Sequence, residues 1–460
     1  MPRSPVLLLA ALVALPGLAR AQAAPTAPVA PLSLADALRE ADGHAFGNRL
    51  AAAATDQRRA GARLPLKGIL PSARVESGLV RTTDPIGAFG ATLRQRSISA
   101  ANFDPARLNA PAPVSTVQGA LVVEMPFFNA DAWLGRRAAR AAVSATESGG
   151  AWTASTIRAD VVRAWFGALL ADEKVRTLDA AQQAAHAATQ QVESMVRQGV
   201  VTKADALQAS VHELDLTAQR LAAADAAVTA RAALGMLLGR STQAAPAITG
   251  ALPSDSALRA FAARDTGPAA GATQRTDVRA ALDGVQAASV DLQRAQSAFL
   301  PRLNGFARSD WFTPSTPFGG KASWTLGVMA SWSLPSMGGE LAEVQAARAR
   351  SRSASAGRDA ALAQARLESD ATQRALTVAL LRLDLAAQAG VQAREAQRLV
   401  ARRYAGGLAT VAELLGATAG ATQSTLAHAA ARFAVIDAIA ARRLAIGADP
   451  GALASLVATP

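Results

Sequence analysis

The chain has 460 residues, half of them hydrophobic, with 47 basic and 35 acidic side chains for a formal charge of +12. It contains no cysteine, which excludes disulfides, thiolate metal sites and cysteine lipidation. Alanine supplies much of the apolar content and only 4% of residues are aromatic, a composition for close-packed helices rather than a thick globular core.

Residues 1–21 read as a secretory signal peptide. Arg3 gives a weak basic start, Val6 to Leu15 is a short apolar run, and Ala19-Arg20-Ala21 is an A-x-A cleavage box. The run is too short to span a bilayer, and the mature chain is expected to begin near Gln22 and to leave the cytoplasm. A retained apolar anchor is the alternative. Loss of Arg3 and Arg20 lowers the charge to about +10. The remaining basic residues are scattered among alanines without interleaved aromatics, so they read as solvated helix faces and no nucleic-acid partner is expected.

Period-two alternation marks strands in pairs. The first pair is 70–80 (LPSARVESGLV) and 117–127, separated by a long loop rich in Pro, Gly and Asn. The second pair is about 300–310, opening with LPRLNGFARS at 300–309, and 323–334, separated by a shorter loop with Pro314, Pro317 and Gly319-Gly320. In the last strand Trp324, Leu326, Val328, Ala330, Trp332 and Leu334 share one face. Trp324 and Trp332 then stand about 27 Å apart along the strand, close to the height of a membrane-barrel apolar band with its aromatic girdles.

Each strand pair precedes a tract free of proline, between Pro126 and Pro246 and between Pro335 and Pro450. Such tracts can be helical throughout, yet each must fold back. Gly199 and the pair Gly406-Gly407 mark the reversals, and Thr202 and Thr410 are placed to cap the returning helices. The spacing therefore predicts a helical hairpin over about 130–240 and another over about 338–446, with outgoing helices near 100 Å long. The return helices carry a coiled-coil period: Leu207, Val211, Leu214, Ala218, Leu221 and Val228 in the first, interrupted by Asp225, and Leu415, Ala419, Thr422, Leu426, Ala429, Phe433 and Ile436 in the second. Spacing near 3.5 predicts a seam facing a partner helix.

The order is thus a tandem repeat: a first copy over 22–240, a linker over 241–274, a second copy over 275–446 and a tail over 447–460. Four strands cannot close a membrane barrel, and open edges are not tolerated in lipid. A homo-oligomer solves this, since three chains supply twelve strands and their helices continue the sheet as a second, helical tube.

Several of these residues resemble the TolC-like outer membrane efflux protein family, over nearly the whole mature chain. They are the strand entries Leu70-Pro71 and Leu300-Pro301, the segment RTDVRAA at 275–281, and above all the duplicated turn at 199–209 and 407–417. The resemblance implies an α-dominated fold with transmembrane β-structure: a homotrimer with a 12-stranded outer-membrane β-barrel continued by a 12-helix periplasmic coiled-coil barrel. It implies the outer membrane of a Gram-negative bacterium as the location. It further implies a role as exit duct of a tripartite pump or type I secretion system, with a periplasmic adaptor (membrane fusion) protein, an inner-membrane transporter and outer-membrane lipid as partners.

By the same resemblance, Gly199, Val200, Val201 and Thr202 form one adaptor-docking tip, and Gly406, Gly407, Leu408 and Thr410 the other. Asp205 and Glu413 become the acids of the pore constriction, with Tyr404 helping to hold it closed, and Trp324 and Trp332 belong to the membrane girdle. In a threefold ring each acid becomes three, which attracts cations. The competing role for both is as first-turn acids complementing a helix N-terminus. The chain departs from the family pattern at Gly416, where a second gate carboxylate stands in its best-known members, and at Ala409, where they carry a basic residue.

No metal, cofactor or catalytic constellation is expected. His44, His186, His212 and His428 have no metal-ligand spacing, and there is no phosphate loop or nucleophile elbow, so energy for transport must come from a partner. Arg74, Arg302 and Arg308, set against Glu76 and Glu124, hint at a mild preference for anions near the exit. A non-conducting periplasmic coiled-coil adaptor or scaffold is the other functional class the helices allow.

Overall fold

The computed structural model describes residues 32–241, 245–264, 275–332 and 339–457. The signal peptide, the last two residues of the 323–334 strand and part of the linker lie outside them.

Four helices dominate: α5 (Ala130–Arg197), α6 (Lys203–Leu237), α9 (Gly339–Ala405) and α10 (Val411–Ala445). The long members have 68 and 67 residues and each return helix has 35. At 1.5 Å per residue the long helices reach about 100 Å. Shorter helices precede or bridge them: α1 (Leu34–His44), α2 (Phe46–Gly61), α7 (Asp255–Arg264) and α8 (Thr276–Gln296). None of the described helices is long and apolar enough to cross a membrane.

All four long helices stop in the same way. After α5, Gly199 takes φ +76° while its N–H donates to Val196 O and the Val200 N–H to Met195 O. After α9, Gly407 takes φ +73°, with Gly407 N–H to Tyr404 O and Leu408 N–H to Arg403 O. Gly239 and Gly447 repeat this arrangement after α6 and α10. It is the left-handed glycine stop that satisfies the last carbonyls of a helix.

A sheet forms the other end. Strands β1 (Ser72–Thr82), β2 (Val114–Phe128), β3 (Arg302–Thr313) and β4 (Ser323–Ser331) pair antiparallel in the order β1-β2-β3-β4. Val75 faces Leu121, Leu121 faces Ser309, and Ser309 faces Trp324. A bulge at Pro126/Phe128 breaks the register where β2 leads into α5, a position that suits a residue lacking an N–H. Within one chain, β1 and β4 are both open edges.

The 83–113 segment is not the plain polar loop its composition suggests. It holds two short helices, α3 (Pro85–Arg94) and α4 (Pro105–Asn109), each opened by an aspartate cap and a proline in the first turn. Asp84 accepts from Gly87 N–H at 2.6 Å and Asp104 from Ala106 N–H at 3.0 Å. The Asp-Pro pairs at 84–85 and 104–105 are the sequence signal for both starts.

The main core is a belt around the middle of α5. Trp165 and Phe166 meet edge to face, with ring centroids 5.0 Å apart, and pack with Leu38 of α1, Leu234 of α6, Leu258 of α7, Leu383 of α9 and Ile439 of α10. Elsewhere the helices form a single layer. Side by side, α6 packs on α5, α5 on α10 and α10 on α9, which leaves α6 and α9 as the outer edges.

Within that layer the two coiled-coil seams have different surroundings. The α10 seam turns inward: Leu415 and Leu426 pack against the first hairpin, and Ala429, Phe433 and Ile436 join the core. The α6 seam does not face α5. Leu207, Val211, Leu214, Leu221 and Val228 are all exposed, and α6 is held to its neighbours through Ala209, Leu216, Ala227 and Leu234 instead. The 3.5-residue period specifies an apolar stripe, not which chain covers it.

Candidate functional site

The two hairpin tips lie together. Val192 of α5, Ala209 of α6 and Val411 of α10 form a small buried cluster, flanked by Val201, Ala206, Tyr404 and Leu415. Tyr404 is half-buried, and its hydroxyl donates to Met195 Sδ at 3.5 Å across the hairpins. Burial pushes its hydroxyl pKa up, and the charge of nearby Asp205 pushes it the same way, so the phenol stays neutral and a donor. Val200 and Leu408 point outward from the turns and are 63% and 73% exposed.

Asp205 and Glu413 take the helix-capping role. Thr202 N–H donates to Asp205 Oδ2 at 2.9 Å while Asp205 N–H donates to Thr202 Oγ1 at 3.2 Å. Thr410 and Glu413 repeat this at 2.8 and 3.2 Å. These reciprocal boxes satisfy two orphan donors of each helix start. The hydrogen bonds from Thr202 hold the Asp205 pKa below its ordinary value. Among the described residues, Asp205 Oδ1 and Glu413 Oε1 accept no hydrogen bond, so capping leaves each acid one oxygen to offer elsewhere.

At Ala409 and Gly416 the structure places no charge. A basic side chain reaches the second turn from the preceding helix instead, where Arg403 Nη2 donates to Leu408 O at 3.0 Å. Sequence reasoning missed this brace because the residue precedes the turn.

The girdle residues stand far from the tips, in the sheet. Trp324 and Trp332 are 81% and 63% exposed, and Trp332 Nε1 donates to Phe299 O at 3.1 Å. Val75, Leu79, Leu121, Val123, Met125, Leu326 and Val328 share their apolar face. An aromatic pair not singled out in the sequence lies beyond Trp324: Phe318 meets Trp311 edge to face at 5.5 Å. Phe318 lies over Gly119, where an added Cβ would meet its ring at 2.8 Å.

The opposite face of the sheet is polar and internally paired. Arg74 bonds Glu76 and Glu124 at 2.8 Å each, and Arg308 bonds Asp310 at 2.8 Å and Glu76 at 3.3 Å. Arg302 approaches Asp131 at 3.5 Å. These pairings remove the basic excess that the arginines suggest, and with it the hint of anion preference.

A further node anchors the second half. Arg275 is 2% exposed, forks onto Asp277 at 2.7 and 3.0 Å, reaches Glu368 at 2.7 Å and lies over the Trp152 ring at 4.5 Å. It ties the start of α8 to α9 and α5. Among the described residues no cluster of three or more metal-ligating His, Cys, Asp or Glu side chains occurs.

Residues 267–448 match the family model described as "Outer membrane efflux protein". This part of the chain, less than half of its length, is similar to the outer membrane efflux proteins. No curated protein matches it in sequence.

Solved structures match the fold along nearly its whole length. The outer membrane protein VceC from Vibrio cholerae is 19% identical with a TM-score of 0.73, over 91% of this chain and 96% of that one. The Campylobacter jejuni CmeC outer membrane channel is 16% identical with a TM-score of 0.75, over 90% and 85%. The open-state MtrE outer membrane channel of Neisseria gonorrhoeae is 17% identical with a TM-score of 0.70, over 92% and 90%. At these identities the likeness is one of fold, and the fold is TolC-like.

Proposed function

We propose that three copies of this chain form a passive duct across the outer membrane. It would be the exit channel of a tripartite efflux pump or a type I secretion system, fed by a periplasmic adaptor and an inner-membrane transporter. The observation that carries this reading is the pair of free edges. The sheet ends at β1 on one side and β4 on the other, and the helical layer ends at α6 and α9.

Both ends of the helical layer are apolar. On α6 the stripe is Leu207, Val211, Leu214, Leu221 and Val228; on α9 it includes Leu367, Val378, Leu381, Leu385 and Leu399. Stripes this long on a layer one helix thick mark an interface. Because α6 and α9 differ, the contact is head to tail, and a head-to-tail contact that closes makes a ring. The same rotation brings β4 of one copy beside β1 of the next. Three copies give twelve strands and twelve long helices, and no edge is left in lipid.

In that ring the apolar face with Trp324 and Trp332 meets lipid, and the paired polar face lines the lumen. Each tip presents Val200 or Leu408 for adaptor docking. Asp205 and Glu413 project their free oxygens toward the axis as rings of three, and Tyr404 holds neighbouring tips closed. The likeness to proteins described as outer membrane channels supports conduction. The duct has no chemistry of its own and takes its energy from the transporter.

Native mass spectrometry of the detergent-extracted protein tests this reading. A mass of three mature chains is expected; a stable single chain would overturn it.

A further inference from the structure

We propose that the β1–β2 insert is a lid that narrows the extracellular mouth of the duct from inside. The inference rests on the barrel reading above and adds a second constriction, at the end opposite the tips.

The insert docks on the polar face of the sheet. Gln95 Nε2 donates to Ser115 O and to Thr116 Oγ1, both at 2.8 Å. The Arg94 guanidinium lies over the Phe312 ring at 5.1 Å. Thr116 and Phe312 alternate in register with Arg74, Glu124 and Arg308, the charged residues of that face. Arg96 Nη2 reaches across to Ala322 O at 3.4 Å, beside the start of β4. The contact buries Thr116 and Ala88 of α3. The β3–β4 connection goes the other way and lays Phe318 on the apolar face. The two connections at this end thus sort to opposite sides of the wall, and the larger one takes the lumen side.

Size decides what this does. Twelve strands about 4.8 Å apart and tilted by about 40° make a backbone circle about 24 Å across. A helix with its side chains is about 10 Å thick. Three copies of α3 against the inner wall therefore leave a gap of a few ångströms. The lid is held by polar and cation–π contacts with little apolar burial, a device that a passing solute can displace and that recloses.

The absence of native cysteine makes the test clean. Ser72→Cys places a thiol on the polar face at the far end of β1, and Lys321→Cys places one on the extracellular connection as a control. Trimers in proteoliposomes with the extracellular side outward are labelled from outside by a bulky maleimide and by a small methanethiosulfonate. Two lid variants are compared with the intact lid: replacement of residues 85–109 by a short Gly/Ser linker, and Arg94→Ala with Gln95→Ala.

Maleimide labelling of Ser72→Cys is expected to rise at least tenfold in either variant, with Lys321→Cys unchanged. Equal maleimide rates with and without the lid, while the small reagent reaches Ser72→Cys in both, would overturn the lid and leave the duct standing. Failure of both reagents to reach Ser72→Cys in any variant would overturn the barrel reading and the lid with it.

Discussion

The hydroxyl of Tyr404, at the end of α9, donates to Met195 Sδ in the last turn of α5 at 3.5 Å. The last turn of the long helix in one half thereby holds the last turn of the long helix in the other. An S···H–O contact is weak, and most of what joins the tips is the burial of the ring beside Val192, Ala209 and Val411. Tyr404→Phe should therefore leave channel closure nearly intact. Tyr404→Ala, which empties the ring's place, should raise resting conductance severalfold. Single-channel recording of the two variants distinguishes a packing latch from a hydrogen-bond latch, for which both would open.

The Thr202–Asp205 capping box makes the first tip acid-sensitive. The folded-state pKa of Asp205 is lowered by Thr202, so its contribution is fully present above the unfolded value of about 3.9 and is lost as pH falls through the folded value. Thermal melting of Asp205→Asn and the parent chain should differ at pH 6 and converge as pH falls below the ordinary carboxylate range. Thr202→Ala, which removes the other half of the box, should cost about 1 kcal/mol.

Arg275 is costly to remove. Truncation to Ala strands Asp277 and Glu368 and leaves a gap beside Trp152. Loss of one partner of a buried pair costs about 3–5 kcal/mol, and the partial exposure of both carboxylates puts this case near the lower figure. Arg275→Lys keeps the charge but loses the fork onto Asp277 and should recover only part of the loss. Denaturant unfolding of the three proteins checks the order.

The two faces of α6 separate folding from assembly. Leu216 is buried against Leu178 and Ala185, and Leu216→Ala should destabilise the hairpin by about 2–4 kcal/mol. Leu214 is 66% exposed in the single chain, and Leu214→Glu should leave that hairpin folded while dissociating the trimer. Circular dichroism with size-exclusion chromatography in detergent reads both effects.

This pair also shows what the sequence could and could not tell. Proline-free tracts, Gly199, Gly407 and the threonine caps place the hairpins because each acts through local backbone geometry. Alternation around Trp324 places a strand for the same reason. The seam of α6 is legible as a stripe, but Leu207 and Leu214 stay exposed within one chain, and the period does not record what covers them. The insert between β1 and β2 was legible only in its two Asp-Pro starts. Its docking through Gln95 and Arg94 depends on the face of a sheet that the insert itself interrupts. At the tips, Asp205 and Glu413 stand at equivalent places because the turns are duplicated. Their cap bonds are local, whereas a role at the axis depends on the symmetry of three chains.

The central claim is a trimeric duct closed at its tips, and single-channel conductance in planar bilayers tests it most directly. The parent protein should give long-lived channels of small conductance, blocked by divalent cations. Asp205→Asn with Glu413→Gln should weaken that block. Channels of unchanged divalent sensitivity in the double variant would remove these acids as the constriction. No conductance from either protein, once insertion has been verified, would contradict the duct itself.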